Sequence, residues 1–202
     1  MNKQTVNKMG GFTLVELIVV IAILGVLAAW GAPKLKGYLE SAKGTAMGEA
    51  IQTVDEEITS LANTHRISNC ATNTRLVAAG NNYLDVIYNG SAFVLAAEQG
   101  SYERLPHAIN TNAFSEITAA GAGAAGTYEV QGMPFTIQPC TATENVYRLQ
   151  SVTSDTLGAY LDTYHPAIAA AFDPAVAVNA GAVRYTAADA NDEHQVDIYI
   201  RR

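Results

Sequence analysis

Glu16 is the only charged residue in an apolar run of 21 residues from Phe12 to Ala32, whose first part reads FTLVELIVVIAILG. A carboxylate near the end of a lipid-buried helix costs about 1 to 3 kcal/mol, so it needs a polar or cationic partner. The run itself offers no polar partner for it. A free ammonium at Phe12 would lie one helical turn away on the same face, close to the positive end of the helix dipole. The other groups able to do chemistry are dispersed. His65, His107, His165 and His194 are scattered, and no metalloprotease, redox-dithiol, serine-hydrolase or phosphate-loop pattern is present. No catalytic residue, metal site or cofactor is expected, and the chain does not read as an enzyme. The acidic stretch DANDEH at 189–194 lacks the twelve-residue spacing and glycine of an EF-hand, so a solvated turn is expected there rather than a calcium loop. Asn89 in NGS matches a glycosylation sequon, but NG between two apolar runs also reads as a hairpin turn.

The element that carries Glu16 has membrane-spanning length, since about 20 apolar residues cross a bilayer as a helix. It exceeds the core of a secretory signal, about 7 to 15 residues, and no small-residue cleavage site follows it. The preceding MNKQTVNKMGG is polar, carries Lys3 and Lys8, and ends in paired glycines, which places the N-terminus on the cytoplasmic side. Lys34 and Lys36 flank the other end, and Trp30 suits the interfacial aromatic belt. A cut after Gly11 would supply the ammonium that Glu16 lacks.

Paired glycines followed by FTLVELIVVIAILGVLAA resemble the leader junction and hydrophobic helix of type IV prepilins, which are related to the pseudopilins of type II secretion. The resemblance covers roughly residues 8 to 38. It implies cleavage between Gly11 and Phe12 by a prepilin peptidase, N-methylation of Phe12, and an assembly role for Glu16, whose carboxylate would meet the Phe12 amine of a neighbouring subunit. Gly25 and Pro33 fall at the family's helix-breaking positions. The implied fold is α+β: a long N-terminal α-helix packed on an antiparallel β-sheet head. The domains expected are a cleaved leader at 1–11, a helix at 12–64 with 12–32 in the membrane or filament core, and a globular head at 65–202. The implied partners are identical or related pilin subunits, the prepilin peptidase, the inner membrane before assembly and the pilus assembly machinery. The implied location is the inner membrane with a periplasmic head, then an extracellular pilus. A pseudopilin shares this N-terminal chemistry, and a signal-anchored periplasmic binding domain would explain the apolar run but neither the glycines nor Glu16.

The remaining chain is sufficient for one head domain. Its composition is 49% hydrophobic, but stretches such as PAIAAAFDPAVAVNAGA show that alanine supplies much of this, so the core of large side chains is smaller than the figure suggests. The formal charge is −7, and loss of Lys3 and Lys8 would make it −9, which argues against a nucleic-acid groove. Past Pro33, Leu35, Tyr38 or Leu39, Ala42, Ala46, Ala50, Val54, Ile58 and Leu61 recur at helical spacing, while Lys36, Glu40, Lys43, Glu49, Asp55 and Glu56 read as a solvated face. Strands are expected at 83–88, 92–97, 126–131, 134–138, 146–152 and 195–200, a helix at 155–172 broken by Pro166, and a flexible connection at 119–126. Cys70 and Cys140 lie in the part outside the cytoplasm and read as a disulfide joining the helix end to the sheet, the alternative being two buried thiols. The common pilin pattern places both cysteines near the C-terminus, from which this chain departs.

Overall fold

The computed structural model describes residues 13–65, 68–70, 77, 81, 83–103, 117–119 and 128–202. Two compact units are distinguished, Met1–Leu39 and Glu40–Arg202.

The first unit consists of the apolar part of helix α1 (Leu14–His65), from Leu14 to Leu39. Its large side chains, Leu14 through Leu27, Trp30, Leu35, Tyr38 and Leu39, are exposed. The helix is long and apolar enough to cross a membrane. It continues through Gly25 and Pro33 without interruption, although proline lacks the N–H that the carbonyl one turn earlier would accept.

The second unit contains the rest of α1, helix α2 (Tyr83–Asn89), a 3₁₀ turn at Gly90–Phe93 and the short helix α3 (Gln99–Tyr102). Strands β1 (Ile117–Ala119), β2 (Tyr128–Val130), β3 (Met133–Gln138) and β4 (Glu144–Thr153) follow. Helices α4 (Ser154–Tyr164) and α5 (Pro166–Ala169) lead to β5 (Val183–Tyr185) and β6 (Glu193–Arg201). The six strands form one antiparallel sheet in the order β1-β2-β3-β4-β6-β5. Alternation made β3 and β6 legible, since alternate residues enter the core, while β4 buries Asn145, Val146 and Tyr147 in succession and shifts register between Leu149 and Val152. Between β2 and β3, Gln131 (φ 51°) and Gly132 (φ 79°) make a two-residue turn whose left-handed residues match the strand twist.

One face of the sheet meets α1. Met47, Ala50, Ile51, Val54, Ile58 and Leu61 share a core with Tyr128, Phe135, Tyr147, Leu149, Val196 and Ile198. This is the expected helix-on-sheet α+β arrangement. The buried face differs in detail from the expected stripe: Ala42 is exposed, whereas Glu40, Gly44, Met47, Gly48 and Ile51 are buried.

Three expectations are corrected. The stretch YLDVIY is helix α2, and residues 83–87 are buried throughout, so alternation did not mark a half-buried strand. AFVLAA is not a strand either; it begins in the 3₁₀ turn, and Val94 makes an isolated bridge to Val77. Asn89–Gly90 is a helix end with Gly90 at φ 76°, a left-handed stop that glycine accepts freely, rather than a hairpin. The break at Pro166 stands, with proline opening α5, where its missing N–H is harmless. Most of the 119–126 connection lies outside the described residues.

Candidate assembly site

Glu16 sits in the first turn of α1 beside Thr13, which precedes the helix. The Thr13 N–H donates to Glu16 Oε2 at 2.9 Å, and the Thr13 hydroxyl donates to the same oxygen at 2.8 Å. In return the Glu16 N–H donates to Thr13 Oγ1 at 3.2 Å. This reciprocal exchange is a capping box, the threonine and glutamate three apart satisfying helix-end donors that would otherwise be orphaned. The expectation that Glu16 has no partner in its own run is therefore corrected. The signal, Thr-x-x-Glu directly before an apolar helix, was present in the sequence. Both bonds use Oε2, and Oε1 accepts none from the described residues. One carboxylate oxygen thus remains for a further donor. Gly11 and Phe12, the expected cleavage and methylation positions, lie outside the described residues.

Farther along, a Cβ added at Gly25 would meet nothing within 4 Å among the described residues, so their packing does not demand glycine there. Lys34 Nζ lies 4.7 Å from the centre of the exposed Trp30 ring, a cation–π contact one helical turn apart.

In the second unit, two carboxylates assigned to a solvated face are anchors instead. Glu40 is 8% exposed and accepts from the hydroxyls of Thr153 at 3.0 Å and of Thr156, and from Lys43 at 3.2 Å. Thr153 caps α4 by accepting from the Thr156 N–H, so the carboxylate stands at the positive end of that helix. Burial pushes the Glu40 carboxyl up, but the hydrogen bonds from Thr156, Thr153 and Lys43 outweigh it and hold the group below its ordinary value. Asp55 accepts from Tyr147 Oη at 2.6 Å and from Asn145 Nδ2 at 3.0 Å. Burial and then the Asp55 charge push the Tyr147 phenol far up.

Cys70 and Cys140 form a disulfide with Cα atoms 5.7 Å apart. Polar bonds fasten the same region: Asn145 donates to the Asn69 carbonyl at 3.0 Å, and Arg202 donates to Ser68 Oγ at 2.9 Å and to the carbonyls of Thr141 and Ala142. The acidic turn is also internally bonded. Asp189 Oδ1 accepts the N–H groups of Asn191 and Glu193, and Asp192 accepts from Ser154 Oγ. The buried His194 has Nε2 2.9 Å from Ser154 Oγ and Nδ1 2.7 Å from the Thr186 carbonyl. His165 lies beside Tyr160 at the end of α4, and burial pushes its imidazole down. His65 closes α1, while His107 lies outside the described residues.

Residues 6–32 match the prokaryotic N-terminal methylation motif. Over 81 residues the chain is 31% identical to prepilin peptidase-dependent protein A of Clostridium perfringens (strain 13 / Type A), covering 40% of this chain and 58% of that protein. Over 73 residues it is 36% identical to a fimbrial protein of Moraxella nonliquefaciens, covering 36% of this chain and 46% of that one. The chain thus spans about half the length of these curated relatives. No solved structure matches it significantly. The long helix packed on an antiparallel sheet is a pilin-like α+β arrangement, and the methylation motif and the two relatives are consistent with the type IV pilin family.

Proposed function

We propose that this chain is a structural, non-catalytic subunit of a type IV pilus. It is made as an inner-membrane prepilin with its N-terminus in the cytoplasm and its head in the periplasm. A prepilin peptidase cuts between Gly11 and Phe12, Phe12 is N-methylated, and the pilus assembly machinery adds the subunit to an extracellular filament of identical or related chains. The observation that carries this reading is a capped Glu16 with one uncommitted oxygen at the start of an exposed apolar helix. Inside a filament that oxygen accepts the Phe12 ammonium of the neighbour. Burying the ammonium without its acceptor would cost several kcal/mol. The names of the two relatives, a fimbrial and a prepilin peptidase-dependent protein, support the same reading. Gly25, which no contact among the described residues explains, and Pro33 let the helix lose regular turns inside the filament.

N-terminal mass spectrometry of subunits from sheared surface filaments tests the proposal: the mature chain begins with methylated Phe12. A chain still beginning at Met1 in assembled material would sink it. Glu16→Ala is inserted and cleaved but gives no filaments, whereas normal filament yield at equal levels of processed subunit rules the intersubunit role out. Filaments confined to the periplasm and dependent on a secretion system would make the chain a pseudopilin instead.

A further inference from the structure

The sheet face opposite α1 carries a row of paired side chains that assembly through the N-terminal helix leaves unused. In register across the strands stand Thr136, Arg148, Asp197 and Arg184. Arg148 holds Asp197 in a two-pronged ion pair, Nε to Oδ1 at 2.6 Å and Nη2 to Oδ2 at 2.7 Å, which occupies both carboxylate oxygens. Arg184 has no carboxylate partner among the described residues. Its guanidinium carbon lies 3.8 Å from the Tyr199 ring centre, and its Nε donates to the Gly181 carbonyl at 3.2 Å. Gly181 has φ 96°, so a side chain there would strain the loop that presents this carbonyl. Stacking and one hydrogen bond thus hold the guanidinium plane, while both Nη groups donate to none of the described residues.

These groups border a cavity of about 220 Å³ lined by Asn179, Arg184, Thr186, Gln195, Asp197 and Tyr199, among others. The side-chain amides of Asn179 and Gln195 bond none of the described residues. The Thr186 hydroxyl accepts from the Gln195 N–H, and its own hydrogen is left to donate. With Asp197 neutralised by Arg148 from outside the lining, the Arg184 guanidinium is the uncompensated charge at the cavity, in a chain of formal charge −7. A planar guanidinium fork fixed by stacking suits a carboxylate bound through two parallel hydrogen bonds. Amides and a hydroxyl around it suit a ligand bearing several hydroxyl groups.

We propose that this cavity binds a small sugar acid, its carboxylate on the Nη groups of Arg184 and its hydroxyls on Asn179, Thr186 and Gln195. The probe is D-glucuronate, with D-glucose as the ring lacking the carboxylate and acetate as the carboxylate lacking the ring. Each is titrated at millimolar concentration into the full chain in detergent micelles and followed by amide NMR. Glucuronate shifts resonances of residues 178–186 and 195–199 saturably, and both controls bind at least about tenfold more weakly, each having lost part of the recognition. Arg184→Gln, with an otherwise unchanged spectrum, reduces glucuronate binding by about tenfold or more, and Arg184→Lys, which keeps the charge but not the fork, falls between. If Arg184→Gln does not fold, weaker glucuronate binding by Gln195→Ala decides in favour of the site and undiminished binding decides against it. Equal responses to glucose and glucuronate, no saturable shift, or unaltered binding by Arg184→Gln overturns the proposal. Loss of concentration-dependent self-association in Arg184→Gln, with no glucuronate response in the parent chain, also overturns it and gives the cavity to a carboxylate of a second copy.

Discussion

Gly44 of α1 lies so close to Tyr160 of α4 that a Cβ on the glycine would stand 2.8 Å from the Tyr160 backbone nitrogen and 2.9 Å from the Thr156 carbonyl oxygen. One turn later, a Cβ at Gly48 would stand 2.1 Å from the Tyr164 ring. The two glycines form a notch into which α4 settles. Gly44→Ala gains about 1 kcal/mol of helix propensity. It also forces two backbone segments apart, an overpacking that costs about 1 to 3 kcal/mol or more. Thermal or urea melting will show Gly44→Ala less stable than the parent. Gly48→Ala will be harmed less, because the Tyr164 ring can swing away at the expense of its 3.3 Å bond to the Thr45 carbonyl.

Acid will weaken the same junction through Glu40. Its folded carboxyl is held below the ordinary value near 4.5, so the unfolded chain takes up the proton first as pH falls. The contribution is therefore fully present above the unfolded value and is lost as pH drops through the folded one. Stability measured from pH 6 to pH 3 will fall, and Glu40→Gln will flatten that part of the curve while lowering stability at pH 7. An unchanged slope in Glu40→Gln would remove Glu40 from this account.

Two buried tyrosines separate in the opposite direction. Tyr83 Oη is buried with no hydrogen-bond partner among the described residues, and burial pushes the phenol up to about 12. Tyr147 Oη donates to Asp55. Removing an unsatisfied hydroxyl leaves stability unchanged or raises it, whereas removing the Tyr147 hydroxyl takes a bond from a charged acceptor and leaves Asp55 with the Asn145 amide, a loss of about 1 to 3 kcal/mol. Tyr83→Phe is therefore neutral or stabilising and Tyr147→Phe is destabilising, as read from paired denaturation curves.

The disulfide closes a 70-residue separation and contributes about 4 kcal/mol in the chain-entropy model. Cys140→Ser will lower head stability by a few kcal/mol. Alkylation of native protein, without reductant, will label neither cysteine, and free labelling of both thiols would contradict the bridge.

The sequence disclosed most where one physical pattern dominated. An apolar run containing one carboxylate marked the N-terminal helix, and alternation along β3 and β6 marked strands of the sheet. It disclosed less where burial was uniform. Tyr83 to Tyr88 reads as a strand because its β-branched and aromatic residues favour one, and a run this short cannot separate a buried helix from a buried strand by period. Asp85 in its midst accepts from Tyr128 at 2.7 Å, a long-range bond no local pattern reveals. Glu40 and Asp55 misled in a different way. Charged residues at helical spacing usually face water, and only the return of Thr153, Thr156, Asn145 and Tyr147 from about 90 to 116 positions later turns them inward. β5, three residues long, was too short to show a period.

The position of β6 between β4 and β5 also sets an order of events during synthesis. β5 leaves the ribosome before β6 yet hydrogen-bonds to it, so it can join the sheet only after the later strand has arrived. Glu40, Gly44 and Asp55 likewise wait for partners encoded about 90 to 116 positions later. Non-local closure of this kind is slow and leaves apolar surface open to association in the meantime. The head thus closes only once β6 has emerged, and its vulnerable period is the time for which α1 must remain uncovered.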